Sequence, residues 1–554
     1  MERIRTTCTH CQFGCELEIV RTGRRIVGLE YPEDSPVSGG RLCPRGSAGA
    51  VLLDHPQRLC YPLKDGKNRT WQEFAAEAVP IVANCPSNEL AVTYDSNLTQ
   101  EELGLVYGLA DQLGTDNLAC GQLDPEGVGQ WRLDTKLRGS DPLAVSQDDI
   151  RKADTTLIVG DVFGVMPVIS KLVLDAKYAD RSRRLFYLDC LQGRAAGFAH
   201  RFLWVRPGQE PLILLALSAL LDPRLPGVEP QAIAAVCGTA PEVLGELAQA
   251  LAKPRKSVVL VAPQFGRTLD PELLVNAAQL LISRIKGTRR LLLATETRVP
   301  AGRMSLARLL DRIDSGEIKA LLCFGDGFPA EYPGLDRRLS KLSLVVSTAT
   351  LRPRAAKFGW VLPVPLALEK EGSVTTLWGT ARIAKCAEPP SGAHGIAEII
   401  RLLAGELPAS DAQSNVGDAT APIQTRVSAK SICEQGQVLL KSSPAKLESC
   451  PFTILAERPA YSFLGLFPSE KGWAGLNPGD ARGLRVGERS RVTLETQSGN
   501  RAEFRVRLDV RVAPGTVVVD SNELDARGLF DVTIDKASGV TRIPPVQGRL
   551  WPSE

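Results

Sequence analysis

The sequence predicts a multi-domain α/β protein with a short cysteine-rich arm at the amino end, two doubly wound parallel-sheet halves, and a small β-barrel at the carboxy end. Three observations predict it. At 554 residues the chain exceeds one hydrophobic core, which stops growing at about 250–300 residues. Short apolar runs recur between amphipathic stretches, as in buried parallel strands covered by helices on both faces. Near the carboxy end, runs of alternating polarity flank a Ser-Gly-Asn turn, the mark of paired, half-buried strands.

Composition narrows the function. Apolar residues are 44% and charged residues 23%, ordinary for a soluble globular protein and unlike disordered, collagen-like or coiled-coil chains. Lys+Arg 66 against Asp+Glu 63 leaves +3, without the basic excess that a nucleic-acid partner demands. The longest apolar run, Leu212 to Leu221, is about half of the roughly 20 residues that cross a bilayer, so no membrane span is expected. The start, MERIRTTCTH, has no signal-peptide core and no twin-arginine signal, and the expected location is the cytoplasm. Of 13 cysteines only the first four are bunched; the others stand alone, as small buried hydrophobes do in reducing compartments.

Residues 1–60 form the first expected domain. Cys8, Cys11, Cys15 and Cys43 follow C-x2-C-x3-C-x27-C. Three thiolates on a loop carrying Gly14 can wrap one face of an iron–sulfur cluster while the fourth returns from a distant turn. A zinc site, with His10 as a further ligand, and a purely structural cysteine group are the alternatives at this point.

Residues 61–405 form the body. Trp71 to Val82 has helical spacing. Leu90 to Tyr94 reads as a buried strand, followed by a helix that Thr99 and Glu102 cap and that turns Leu103, Leu105, Val106, Leu109 and Leu113 inward. Strand and helix recur from Ala153 to Lys177, and a further strand runs from Arg183 to Cys190. A second series comprises Ser257 to Pro263, Arg289 to Ala294, Ile318 to Pro329 and Leu342 to Thr350. Ligands of such sheets gather at the carboxyl ends of the strands. Gly160, Asp161, Asp189, Gly325, Asp326 and Gly327 occupy those ends: glycine admits close backbone approach, and a carboxylate accepts hydrogen bonds from guanine or ribose. Ordinary turn chemistry explains the same residues. Residues 406–450 are polar and aperiodic, and read as a linker. Residues 451–554 contain alternating strands at Arg491 to Thr496 and Arg501 to Asp509, which argue the barrel.

GRLCPRGSAGAVLLDHPQRLCYPL, after the fourth cysteine, resembles the amino-terminal iron–sulfur domain of the molybdopterin oxidoreductase family. That family includes formate dehydrogenases, periplasmic nitrate reductases and the large peripheral subunit of respiratory complex I. The resemblance rests on Cys43, Arg45 and Gly46, on His55, Pro56, Arg58 and Leu59, and on Pro62 and Leu63. It implies a 4Fe-4S cluster on the four cysteines, with Arg45 between cluster and pterin as a fixed positive charge that favours an added electron. It also implies a molybdenum or tungsten bis(molybdopterin guanine dinucleotide) cofactor. Gly160, Asp161, Asp189, Arg206 and Gly208 would hold one guanine dinucleotide, with Glu210 where an Asp is usual. Cys323 to Pro329 would serve the other. Asn477, Pro478, Asp480 and Ala481 resemble the family's carboxy-terminal dinucleotide-binding barrel.

Catalytic members ligate the metal at the end of the first strand–helix unit. The stretch GTDNLACGQLDPEGVG there offers Cys120 and Asp124 as alternative ligands; a buried Cys and a turn Asp with no metal is the remaining reading. Several expected residues differ: Gln122 stands for an Arg, Pro125 for a His, and Thr376, Trp378 and Thr380 for Asn, Glu and Arg. Phe358-Gly359-Trp360 precedes Val361-Leu362-Pro363 in place of an Ala-Asp. The implied function is a two-electron oxidoreductase, formate/CO2 being the most natural substrate, whose cluster passes electrons to an iron–sulfur, flavoprotein or hydrogenase-like partner. The alternative is a wiring subunit that keeps the cluster and lacks molybdenum.

Overall fold

Sheet formation follows the apolar runs. In the computed structural model, Leu90–Tyr94, Thr155–Val159, Ser257–Val261 and Ala320–Phe324 are buried along their whole length, so both faces of each strand are covered, as in parallel sheets generally. The structure describes residues 1–121, 145–253, 255–264, 266–294, 302–326, 335–353, 359–406, 428–441, 449–457, 472–520, 523–530, 532–535 and 540–553. The chain divides into two compact units. One is Met1–Gly127, Thr297–Ala421 and Ile534–Thr541; the other is Val128–Glu296, Pro422–Thr533 and Arg542–Glu554.

The first unit opens with an antiparallel sheet of Glu2–Thr7, Glu16–Thr22 and Arg25–Glu30. Its larger sheet has seven strands. Five run parallel in the spatial order Leu118–Cys120, Leu90–Tyr94, Ala320–Phe324, Leu344–Ala349, Trp360–Pro363. The hairpin Leu63–Lys64/Lys67–Asn68 extends the edge antiparallel. Numbered along the chain the parallel strands lie 2-1-3-4-5, and the order reverses between Leu90–Tyr94 and Ala320–Phe324. Helices Trp71–Asn84, Gln100–Gln112 and Ile396–Ala404 bury Phe74, Val82, Leu109 and Ile399 against this sheet. Capping boxes open the first two, at Thr70/Glu73 and at Thr99/Glu102, satisfying N–H groups that a helix leaves unpaired.

The second unit contains a five-stranded sheet, all parallel, in the order Arg201–Trp204, Arg184–Asp189, Thr155–Val159, Ser257–Val261, Arg289–Leu293. Along the chain this is 3-2-1-4-5, reversing between Thr155–Val159 and Ser257–Val261. Helix Glu210–Leu221 is apolar all round and buried nearly throughout, as a central core helix is; with Pro271–Arg284 it fills the main core. Part of the expected linker 406–450 is instead structured. Ala429–Lys441 is a helix that sends Ile432, Cys433 and Leu439 into that core. Gly436 permits the approach: a Cβ there would lie 2.3 Å from Leu215 Cδ1. Its apolar positions are separated by Glu, Gln and Lys, which hid the helical period. The carboxy-terminal strands form a closed six-stranded barrel, in the order Phe452–Glu457, Thr516–Asp520, Trp473–Leu476, Arg501–Leu508, Arg491–Thr496, Val546–Pro552. Among the described residues no helix is long and apolar enough to cross a membrane.

Candidate functional site

The cysteine arm is a tight loop between two strands. Cys8 N–H donates to Cys15 C=O at 2.8 Å and Gly14 N–H to Cys11 C=O at 3.4 Å. Gly14 has φ +65°, and a Cβ on it would lie 2.5 Å from Thr376 Cγ2; only glycine takes this turn against this neighbour. Cys43 precedes the short helix Pro44–Ser47, which buries Arg45 and Gly46. A Cβ on Gly46 would sit 3.4 Å from Cys8 Sγ. Burial pushes the Cys8 thiol up to about 12, Cys11 and Cys43 add to this, and Arg45 opposes it. Burial also raises the Cys15 thiol, with Cys8, Cys11 and Cys43 contributing. The other thiols are thus close enough to be felt at both Cys8 and Cys15. Metal would lower those values, because coordination selects the thiolate. His10 is pushed down to about 4 by burial and by Arg45, which leaves its imidazole neutral.

A hairpin from elsewhere in the chain holds this loop. Gly372–Thr376 and Gly379–Ile383 pair antiparallel. At their tip Leu377 N–H donates to Gln12 C=O at 2.6 Å, and Thr7 Oγ1 donates to Arg382 C=O at 2.8 Å. Phe13 meets Trp378 edge-on, with centroids 5.4 Å apart. Thr376 and Trp378, which depart from the family's pattern, thus contact the cysteine loop. Arg58, absent from the candidate set, fastens the end of the arm to the sheet. It donates to Thr350 C=O at 2.6 Å and Val364 C=O at 3.1 Å, and forms a buried ion pair with Glu369 at 2.5 Å. The His-Pro-x-Arg-Leu motif was the signal that could have found it.

Both sheets present candidate residues at the carboxyl ends of strands at or beside the point where the strand order reverses, the place where open α/β sheets bind ligands. In the first unit Asp95 follows Leu90–Tyr94 and faces Gly325 and Asp326. Asp326 N–H donates to Asp95 Oδ2 at 2.7 Å and Asn97 N–H to Oδ1 at 2.8 Å. The Asp326 carboxylate accepts from Thr350 N–H at 2.6 Å and from the Thr350 hydroxyl. Gly325 has φ +126°, and any Cβ would collide with Asp95. Cys120 ends its strand half-buried, next to Tyr94 in register. Asp124, Gly327, Phe358 and the segment 327–329 lie outside the described residues.

In the second unit Gly160, φ +77°, leaves no room for a side chain: its Cβ would lie 2.5 Å from Ala262 C=O. Asp161 turns back to accept from Gly164 N–H at 3.0 Å, and burial raises its carboxyl. Asp189 is buried under three donors: Arg267 Nη2 at 2.5 Å, Tyr187 Oη at 2.5 Å and Leu191 N–H at 3.3 Å. Donor atoms of Asp189, Cys190 and Glu210 come within 4.8 Å of one another. Burial pushes Glu210 up to about 8, and Asp189 adds to this. Arg206 is exposed and opens a turn, its C=O accepting from Gln209 N–H at 3.1 Å. Gly208 at φ +78° lies against Leu269.

In the barrel, Asn477 caps Pro478–Gly483 through Gly479 N–H at 2.8 Å and donates to Val512 C=O at 2.8 Å. Asp480 accepts from Gly515 N–H at 2.7 Å. Both residues act as fasteners of the barrel's own turns.

The donor set of the arm, three thiols on a glycine-dependent loop with Cys43 at the start of a helix beside them, fits an iron–sulfur cluster. The sheet ends carry glycines with no room for a side chain, while their carboxylates already accept bonds within the chain. Residues 1–55 match the family described as Molybdopterin oxidoreductase Fe4S4 domain. The NADPH-Fe(3+) oxidoreductase subunit alpha of Geobacter sulfurreducens is 23% identical over 96% of this chain and 74% of its own length. The F420-dependent formate dehydrogenase subunit alpha of Methanocaldococcus jannaschii is 24% identical over 39% of this chain and 32% of its own. Among solved structures, acetylene hydratase from Pelobacter acetylenicus superimposes with a TM-score of 0.74 at 14% identity, covering 99% of this chain and 100% of that one; at that identity the likeness concerns the fold. The amino-terminal 55 residues thus match the Fe4S4 domain of molybdopterin oxidoreductases, and the chain is similar over nearly its whole length to the Geobacter alpha subunit. Proteins to which it is similar are named as oxidoreductases, and the cofactors of the molybdopterin class are a 4Fe-4S cluster and a molybdenum- or tungsten-bound pterin.

Proposed function

We propose that this chain binds a 4Fe-4S cluster on Cys8, Cys11, Cys15 and Cys43 and exchanges electrons between a pterin-bound metal and a partner subunit. The observation that carries the reading is a glycine-dependent loop whose Cys8 and Cys15 feel the other two thiols, beside a buried arginine, Arg45, whose side chain acts on Cys8 and His10. A fixed cation there favours the reduced cluster and makes Arg45 the electron-transfer residue. The pterin-bound metal, when present, supplies the two-electron chemistry on a small substrate. Cys120, at a strand end in the first unit, is the candidate metal ligand, with Asp124 its alternative. Formate/CO2 is the proposed substrate and the cytoplasm the proposed location. Two relatives are named as alpha subunits, which supports a multi-subunit assembly with an iron–sulfur, flavin or hydrogenase-like partner.

A second reading, a cluster-bearing wiring subunit without molybdenum, is favoured by the internal engagement of Asp189 and Asp326. Metal analysis of anaerobically purified chain separates the two. About four irons with one molybdenum or tungsten, and formate-dependent dye reduction lost in Cys120→Ser, supports the first. Iron at that level with neither metal supports the second, and zinc in place of iron removes both.

A further inference from the structure

The strongest unclaimed feature lies at the carboxyl edge of the second unit's sheet. Arg267 is 4% and Asp189 2% exposed, and the two form an ion pair. Arg267 donates to Asp189 Oδ1, and Tyr187 Oη donates to Oδ2. Both carboxylate oxygens are therefore occupied from inside the chain. A guanidinium and the Watson–Crick edge of guanine present the same chemistry to a carboxylate: planar, adjacent N–H donors held at a fixed angle. The surroundings leave little slack. A Cβ on Gly193 would lie 2.6 Å from Tyr187 Oη. Among the described residues, Arg267 Nε and Glu210 Oε2 are buried without a hydrogen-bond partner, so the site is filled but incompletely satisfied, as a stand-in for a different planar donor would leave it.

We infer that Arg267 is an internal guanine surrogate: its guanidinium occupies the place at Asp189 that a guanine nucleotide would take, so the second unit holds no guanine and the chain carries at most one guanine nucleotide per metal. This deepens the proposed function and rests on its assignment of Asp189 to the nucleotide edge. The surrogate explains why a buried arginine is retained where the fold offers a nucleotide crevice. Arg267 and Asp189 form a buried ion pair, so removal of one partner would leave the other charge buried and alone.

The test uses the full chain and GMP as probe. By equilibrium dialysis, Arg267→Ala should bind GMP at least about tenfold more tightly than the wild type, and GMP should raise the melting temperature of the variant by about 2 °C or more while leaving the wild type unmoved. AMP, which lacks the paired N–H donors on that edge, should do neither. Adding Asp189→Asn to the variant should abolish the gain. Arg267→Gln serves if the alanine variant does not fold, and GMP released by acid from the unaltered chain gives a measure that needs no variant. Equal GMP binding by wild type and a folded variant, or two GMP per metal in the wild type, overturns the surrogate. A chain with no pterin or metal in which Arg267→Ala still gains GMP binding sinks the proposed catalytic function alone and leaves the surrogate standing.

Discussion

At the scale of single residues, the cysteine arm was readable because thiol chemistry needs particular residues at particular spacings, and Cys8 and Cys15 feel the other thiols. What the arm rests on was not readable. Thr376 and Trp378 looked like drift from a pattern, and only their contacts with Gly14 and Phe13 give them a role. Gly14→Ala should therefore act like loss of a ligand. Its φ of +65° and the 2.5 Å approach to Thr376 displace the loop, and the electron paramagnetic resonance signal of the reduced cluster should fall sharply, as it should vanish in Cys11→Ser. A full signal in Cys11→Ser rejects the ligand set, and one in Gly14→Ala rejects the loop's dependence on glycine. Glu210 gives a prediction in pH. Burial pushes its carboxyl from 4.5 up to about 8, so between those values the native chain holds a proton that the unfolded chain releases. The stability contribution is complete below about pH 4.5 and is lost as pH rises through about 8, with a slope of at most about 1.4 kcal/mol per pH unit. Glu210→Gln should match the wild type near pH 5 and exceed it in melting temperature above pH 8; parallel curves would refute the buried, proton-holding state.

At the scale of elements, the sequence revealed those whose pattern comes from one-sided or complete burial. The strand Leu90–Tyr94 and the Thr99/Glu102 cap appear as expected, because apolar runs and capping boxes are local signals. The amino-terminal sheet was missed. Its strands carry charges that pair across the sheet, as Arg3 does with Glu18 at 2.7 Å, and this masks the period of two. The helix Ala429–Lys441 was missed for a similar reason, since its buried stripe is narrow. Arg58 belongs to this scale because it joins elements: the arm's end, the strand Leu344–Ala349 through Thr350, and the turn Ala367–Glu369. Arg58→Met should leave Glu369 buried without its cation, at a cost of about 3–5 kcal/mol. The double change Arg58→Met/Glu369→Leu should recover most of it. Equal melting temperatures for the single and double variants would show that the pair does not join these elements.

At the scale of the whole molecule, the two strand orders, 2-1-3-4-5 and 3-2-1-4-5, could not be read from a list of strands, because adjacency in a parallel sheet is decided by packing between segments far apart in sequence. Each large sheet has its own apolar core, whereas the cysteine arm rests on a small three-stranded sheet, its contacts with one hairpin and four thiols. Its order should therefore depend on the metal, since a site that forms only in the folded state adds its binding energy to folding. Iron removal should loosen the segment between Cys15 and Cys43, where Arg24 and Arg25 are exposed, and leave the sheet cores intact. Limited trypsin digestion of iron-free chain should cut first at Arg24 and Arg25 and yield a stable large fragment, while iron-loaded chain resists at the same protease concentration. Mass spectrometry of the fragments reads the cut sites. Identical digestion with and without iron would mean that the arm is ordered by protein contacts alone, and wholesale digestion of the iron-free chain would mean that the large cores do not stand without it.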